Sequence, residues 1–129
     1  MNLLDTDVLI EASRGQGEAA DWLSAFGSDE VAAAGIAAIE FIAGSTDKAM
    51  IERSHWFLAS LQVAWLNPED NELAYHLART HGVGSGLGMS DFLIAAQALN
   101  QNATLFTFNL KHFKIIPGLN VKEPFSRGE

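Results

Sequence analysis

The stretch Leu3-Leu4-Asp5-Thr6-Asp7-Val8-Leu9-Ile10 begins with an apolar run, interrupts it with two carboxylates and then resumes it. This pattern predicts a short buried strand over 2–4, followed by a helix that begins near Thr6 or Asp7. Asp5 would then lie at the carboxyl end of a strand, where open α/β sheets bind their ligands. The alternative is that Asp5 or Thr6 serves only as the N-cap of the helix.

The composition limits the classes of protein to which the chain can belong. Hydrophobic residues make up 48% and charged residues 19% of its 129 positions, a balance typical of a globular protein, and we expect residues 1–129 to form a single domain. No apolar run approaches the roughly 18 to 20 residues of a membrane span, and no secretion signal is evident. Cysteine is absent, which excludes disulfides and thiolate metal sites. We therefore expect a cytoplasmic protein without a membrane partner.

The net charge of −8 arises from 16 acidic and 8 basic residues. Such a surface repels nucleic acid at long range, so any chemistry on nucleic acid must depend on local bases or on a bound cation. Three bases near the predicted site are candidates for phosphate contacts: Arg14, Lys111 and Lys114.

Short apolar runs alternate with helical patterns along the chain. The predicted strands are 2–4, 31–34, 62–66, 104–108 and 120–122. The predicted helices are 8–14, 18–26, 36–43, 47–61, 68–81 and 89–99. This alternation predicts an α/β fold with a parallel sheet and helices on both faces. The glycine-rich segment 82–88 lacks the lysine of a phosphate-binding loop, and we interpret it as a flexible or tightly turned connection.

Three further polar residues lie in contexts that match that of Asp5. Glu40 lies on an apolar, small-residue face of its helix, where a carboxylate is costly to bury unless it is paired, hydrogen-bonded or bound to metal; the alternative is that Glu40 is simply exposed. Asp91 lies in the first turn of its helix, as a ligand or as an acid that the helix dipole favours. Asn109 follows the strand 104–108. Because helices and strands of a parallel sheet meet at one edge, all four residues can converge there.

Clustered carboxylates require a partner, because like charges raise each other's pKa. A divalent cation removes this conflict. The candidate donors are oxygens only, and the histidines, including His112, lack the spacing of metal ligands and are interpreted as surface or capping residues. Such a donor set indicates Mg²⁺ or Mn²⁺ rather than zinc, and these ions serve phosphoryl chemistry.

The segments 3–9, 90–96 and 107–113, together with Glu40, resemble the PIN domain family and more narrowly its VapC-type toxins. The resemblance covers nearly the whole chain. It implies a PIN-like three-layer α/β/α fold with a central parallel sheet of about four to five short strands. Asn109 falls where many relatives have Asp, which removes one negative charge and argues against a second tightly held metal ion.

The resemblance also implies an activity and a set of site residues. The activity is Mg²⁺-dependent (or Mn²⁺-dependent) endoribonuclease cleavage by a metal-activated water, within a toxin–antitoxin pair. The catalytic set is Asp5, Glu40, Asp91 and Asn109, of which Asp5, Glu40 and Asp91 hold the ion. Thr6, Asp7 and Thr107 support this set. The implied partners are an RNA substrate, a cognate VapB-type antitoxin and a second copy of the chain.

Two other functions remain open on the sequence alone. Asp5-Thr6-Asp7-Val8 also fits the opening motif of haloacid-dehalogenase-type phosphatases, with Asp5 as nucleophile and Asp7 as acid/base. A non-catalytic interaction module would keep the fold without the activity. The helix 47–61, with Ile51 and Trp56, and the flanking pair Phe41-Ile42 carry more apolar side chains than one buried face needs. These side chains either form a surface for a partner protein or complete the core of the domain.

Overall fold

The computed structural model of the protein describes residues 1–15 and 17–126. The strands are β1 (Asn2–Leu4), β2 (Val31–Ala34), β3 (Gln62–Ala64), β4 (Thr104–Phe106) and β5 (Asn120–Lys122). The helices are α1 (Thr6–Ser13), α2 (Gly17–Ser24), α3 (Gly35–Ala43), α4 (Lys48–Ala59), α5 (Pro68–His81), α6 (Met89–Asn100) and α7 (Leu110–Phe113).

The five strands form one parallel sheet in the order β3-β2-β1-β4-β5. The central strand β1 pairs Leu4 with Ala33 on one side and with Phe106 on the other. Leu3 and Leu4 are completely buried, as expected for a parallel strand covered on both faces. Helices flank the sheet, so the predicted PIN-like three-layer α/β/α architecture is confirmed.

Several predicted boundaries were wrong by one or two residues at points where a side chain or a backbone group bonds elsewhere. The first helix begins at Thr6, as the opening stretch predicted and two residues before the later bound of Val8, because Asp5 accepts the backbone N–H of Thr6 and caps the helix. The strand predicted over 104–108 ends at Phe106. Beyond it, the N–H of Phe108 bonds to a side chain of α1 instead of a neighbouring strand.

The strand predicted over 62–66 ends at Ala64, where the side chain of Gln97 bonds to the chain. Gln97 is fully buried on α6. It donates through Nε2 to the carbonyl of Ala64, and its Oε1 accepts the N–H of Gly35 at 3.4 Å. A Cβ on Gly35 would lie 2.8 Å from the carbonyl oxygen of Ala64, so only glycine permits this close approach. These contacts fix the start of α3 against β3 and α6.

Asp70 is a second fully buried polar residue that joins helices. Its Oδ2 accepts the N–H of Asn67 at 3.0 Å, and Asn67 in turn caps α5 at the N–H of Asp70. Its Oδ1 accepts an N–H of Asn100 at 2.9 Å, at the end of α6. Asp70 therefore ties α5 to α6.

No helix within the described residues is long and apolar enough to cross a membrane.

Candidate active site

Asp5 is positioned by the end of β1 and the start of α1. Its side chain is only 7% exposed. Oδ1 accepts the N–H of Thr6 at 2.8 Å, and Oδ2 accepts the hydroxyl of Thr107 at 2.8 Å. The N-cap role that the sequence left open is therefore real, but it uses only one of the two carboxylate oxygens. The second oxygen is bonded to a residue that follows β4, so Asp5 also joins the two central strands where they end.

The environment of Asp5 disfavours its ionised form. Burial, together with the negative charges of Asp7 and Asp91, raises the pKa of the Asp5 carboxyl from 3.8 to about 7. The hydrogen bonds from Thr107 and from the Thr6 backbone act in the opposite direction and lower it. A pKa shifted this far by burial and by neighbouring acids is typical of a functional site.

Glu40 reaches the same edge through Thr6. It lies in the second turn of α3, and the hydroxyl of Thr6 donates to its Oε1 at 2.7 Å. Glu40 is exposed, which agrees with one of the two alternatives left by the sequence. Exposure does not make it an isolated surface residue, because its carboxylate is bonded to the residue that directly follows Asp5.

Asp91 lies in the first turn of α6 and is partly buried. Its Oδ2 accepts the N–H of Gly88 at 2.9 Å, so it satisfies a backbone donor at the start of its own helix. Its negative charge is also the smallest of the influences that raise the pKa of Asp5. Asp91 therefore fits both the capping and the site interpretation.

Asp7 faces the segment that follows β4. Its Oδ2 accepts the N–H of Phe108 at 3.1 Å. This bond connects α1 to the end of β4, next to the bond between Thr107 and Asp5. Asp7 thus connects α1 to the segment after β4 and adds negative charge beside Asp5.

Asn109 is joined to Asp5 through Thr107. The N–H of Asn109 donates to Oγ1 of Thr107 at 2.9 Å, and the same hydroxyl donates to Asp5. Oδ1 of Asn109 lies 2.6 Å from Nδ1 of His112, one turn further along α7. The structure therefore brings the predicted fourth residue to the site, with its side chain oriented by a histidine.

The fit of the site to a divalent cation rests on its donors. They are carboxylate oxygens, the ligands that Mg²⁺ prefers, and a cation beside Asp5 would favour the ionised form that burial opposes. Within residues 1–15 and 17–126, however, no three Asp, Glu or His side chains lie close enough together to hold a metal ion. The predicted tight cluster of three carboxylates is therefore not preformed, and Glu40 is bonded to Thr6 and Asp91 to Gly88.

The three predicted phosphate-binding bases are all exposed. Arg14 pairs with Glu11 at 2.9 Å and lines a groove of about 390 Å³ between α1, α3 and α4 that also includes Glu40 and Arg53. Lys111 lies on α7 and Lys114 caps its end, so both follow Asn109 closely.

Sequence reasoning missed two features of this site. The first is the bond between Thr6 and Glu40, which joins residues 34 positions apart. The second is the contact of His112 with Asn109, which is partly buried rather than a plain surface position. The i, i+3 spacing of Asn109 and His112 at the start of a helix is the only sequence signal that could have indicated this pair.

Comparison with known proteins agrees with the fold. The family model of the PIN domain matches residues 3–119, a span that includes Asp5, Glu40, Asp91 and Asn109. The chain therefore belongs to the PIN domain family.

Two curated relatives come from Mycobacterium tuberculosis. Ribonuclease VapC19 is 32% identical over 124 residues, which cover 92% of this chain and 97% of the relative. Ribonuclease VapC10 is 33% identical over 132 aligned positions, which cover 98% of this chain and 94% of the relative. These relatives place the chain among the VapC-type members of the family. That assignment favours the PIN interpretation of Asp5-Thr6-Asp7-Val8 over the phosphatase one.

Solved structures share the fold over almost the full length of the chain. A toxin–antitoxin complex from Klebsiella pneumoniae has a chain that is 26% identical, with a TM-score of 0.78, covering 97% of this chain and 98% of its own. A chain of VapBC2 from Rickettsia felis, solved with a promoter DNA fragment, is 24% identical with a TM-score of 0.80, covering 95% and 97%.

Proposed function

We propose that this protein is a Mg²⁺-dependent endoribonuclease and the toxin of a VapBC-type toxin–antitoxin pair. The observation that carries the proposal is the hydrogen-bonded set at the carboxyl edge of the sheet, in which Thr107 holds Asp5 and Thr6 holds Glu40. The similarity to two ribonucleases supports the substrate class, and the similarity to a chain of a toxin–antitoxin complex supports the kind of partner.

Asp5, Glu40 and Asp91 would hold the ion, which is Mg²⁺ or Mn²⁺. When bound, such an ion polarises a phosphate and supplies an activated water, so no protein side chain needs to serve as nucleophile. The remaining work falls to the chain. Thr107 and the Thr6 backbone keep the Asp5 carboxylate in one orientation and lower its pKa. Glu40 and Asp91 each use one carboxylate oxygen in these bonds, to Thr6 and to Gly88, which leaves the other oxygen of each for the ion.

The substrate would reach the site along surfaces that carry the few bases. Arg14, Lys111 and Lys114 are exposed beside the site and can contact phosphates along an RNA strand. The acidic surface elsewhere repels RNA, so binding is concentrated where these bases and the ion are.

RNA cleavage by the purified protein tests the enzymatic part. We expect it to cut single-stranded RNA with added Mg²⁺ and to stop in EDTA. Mg²⁺ added in excess should restore cleavage. Asp91→Asn, purified in parallel, is the matched control for a contaminating nuclease. Equal cleavage by Asp91→Asn and wild type would contradict the proposal.

The partner of this enzyme would be a VapB-type antitoxin with a basic segment. The groove between α1, α3 and α4 is lined by apolar side chains, including Phe41 and Phe57, and by polar ones that include Glu40 and two arginines. Ile51 and Trp56 on α4 are 39% and 67% exposed, which suits a partner surface. An apolar helix with a basic residue near Glu40 complements this groove.

Expression in bacteria tests the toxin part. We expect the chain alone to arrest growth, the product of the adjacent gene to co-purify with it and restore growth, and Asp5→Ala to remove toxicity while keeping the complex. A harmless wild-type chain with no binding neighbour would refute the toxin assignment and leave the nuclease assignment standing.

We further propose a cytoplasmic homodimer in which residues 1–129 form one domain, and light scattering of the purified chain measures its mass.

A further inference from the structure

The amide of Asn109 is held in one orientation by His112. The distance from Nδ1 of His112 to Oδ1 of Asn109 is 2.6 Å. Because an amide oxygen can only accept, the imidazole carries a proton on Nδ1 and donates it. The oxygen of Asn109 is thereby occupied, and the amide presents its other atom, the Nδ2 donor, to any ligand. Nδ2 takes part in none of the hydrogen bonds among residues 1–15 and 17–126.

His112 is fixed in turn by the glycine-rich segment before α6. A Cβ on Gly86 would lie 2.6 Å from Cδ2 and 2.8 Å from Nε2 of His112, closer than real side chains approach. Gly86 also has a φ of +77°, a conformation that L side chains rarely adopt. The imidazole is therefore confined between the backbone of Gly86 and the amide of Asn109. Its edge contact explains why a glycine is needed at this point of the segment.

The backbone of Asn109 is anchored to the buried carboxylate. Its N–H donates to Oγ1 of Thr107, which donates to Oδ2 of Asp5. Asn109 thus lies next to Asp5 but shares no direct hydrogen bond with it, and its own oxygen is directed to His112. The oxygen of Asn109 is engaged by a histidine N–H, whereas its Nδ2 donor is unused within the described residues, so the donor is the atom more available to a ligand.

We propose that Asn109 binds a phosphodiester oxygen of the RNA through Nδ2–H, and that His112 is the positioning residue that presents this donor. This proposal rests on the proposed nuclease function and assigns the fourth position to the substrate rather than to the ion. An amide N–H and an anionic phosphate oxygen form a charge-assisted hydrogen bond. A neutral donor here also avoids adding a fourth negative charge beside Asp5, Asp7 and Asp91, where it would repel the phosphate.

A double-mutant cycle tests whether His112 acts through Asn109. The readout is cleavage of a fluorescently labelled single-stranded RNA at saturating Mg²⁺. We expect Asn109→Ala and His112→Ala each to lower kcat/KM about tenfold, mainly by raising KM, as expected for one lost hydrogen bond to a charged group. We expect the double variant to match Asn109→Ala alone. Independent, multiplying losses would overturn the positioning role.

Conservative replacements of His112 separate positioning from packing. His112→Asn places an amide N–H near the position of Nδ1 and should recover most of the cleavage lost in His112→Ala. His112→Gln places its amide nearer the position of Nε2 and should recover little. Thermal denaturation of each variant measures folding directly. Recovery that follows thermal stability instead of the position of the N–H would contradict the proposal.

Asn109→Asp tests which atom faces the substrate, since it changes the amide to a carboxylate of the same shape. We expect RNA affinity, measured by fluorescence anisotropy without metal in an Asp91→Asn background, to fall more than about tenfold. The Mg²⁺ concentration for half-maximal cleavage should stay unchanged. If cleavage is retained and the Mg²⁺ concentration for half-maximal cleavage falls, an oxygen at this position contacts the ion. A wild-type chain that neither cleaves nor binds RNA overturns the nuclease function as well, whereas an active wild type with an unaffected Asn109→Asp overturns only the role of Asn109.

Discussion

The hydroxyl of Thr107 donates a 2.8 Å hydrogen bond to Oδ2 of Asp5, although 102 residues separate them in the sequence. The same hydroxyl accepts the N–H of Asn109. Thr107 is completely buried, so this one oxygen joins the ends of β1 and β4 beneath the proposed site. A threonine whose hydroxyl is used on both sides is a positioning residue that can be tested apart from the acids.

Thr107→Val keeps the shape of the side chain but removes its hydroxyl. We expect kcat/KM for RNA cleavage to fall between about 10-fold and 100-fold, the usual cost of losing a residue that orients a metal ligand. Thr107→Ser is the matched control, because it keeps the hydroxyl and should retain most of the activity. Equal losses in both variants would show that the hydroxyl has no special role, and a loss in Thr107→Ser alone would assign the effect to the methyl group.

The proposed ligands can be removed one at a time with amide isosteres. Asp5→Asn, Glu40→Gln and Asp91→Asn should each lower cleavage more than about a hundredfold, because direct ligands cost more than the residues that orient them. Metal-free stability should not fall, since each change removes one of several neighbouring negative charges. Urea denaturation in EDTA measures it. Unfolding of all three variants would identify these acids as structural.

The pKa of Asp5 makes the stability of the metal-free protein depend on pH. In the unfolded chain Asp5 ionises near 3.8, whereas in the folded protein its pKa is about 7, so the folded state holds a proton that the unfolded state has lost. Stability from this group is greatest below pH 4, decreases as the pH rises, and is lost above 7; the change is about 4 kcal/mol. Urea denaturation at several pH values in EDTA should show this decrease for wild type relative to Asp5→Asn. Parallel curves for the two proteins would contradict it.

Asp7 should matter less than Asp5 for cleavage. Its Oδ2 accepts the N–H of Phe108, and the amide oxygen of an Asn can accept the same bond. We therefore expect Asp7→Asn to lower kcat/KM by less than about tenfold, far less than Asp5→Asn, because the brace between α1 and β4 is kept. A loss as complete as that of Asp5→Asn would mean that Asp7 takes part in the chemistry.

Asp70 provides the opposite case, a buried acid with a structural role. Asp70→Ala leaves the N–H of Asn67 and the amide of Asn100 without an acceptor, and should lower the free energy of unfolding by about 2 to 4 kcal/mol. Where the variant is still folded, its kcat/KM should equal that of wild type. A specific loss of activity at full stability would place Asp70 in the site.

The sequence determined the local elements and the positions of the acids along them. The Asn2–Leu4, Val31–Ala34 and Asn120–Lys122 strands and the Pro68–His81 helix have the predicted bounds, because apolar runs, Pro68 and the Asn67 cap act over a few neighbouring residues. The same local signals placed Asp5 after a strand and Asp91 in a first helical turn.

Only the tertiary structure decided what those acids contact and how they ionise. The partners of Asp5 and Glu40 lie 102 and 34 residues away, and they meet because the parallel sheet brings the ends of β1, β2 and β4 to one edge. The raised pKa of Asp5 depends on burial by the whole fold. The confinement of His112 by Gly86 likewise requires two segments to pack together. Such contacts depend on how distant segments pack in three dimensions, and the local pattern of residues does not predict them.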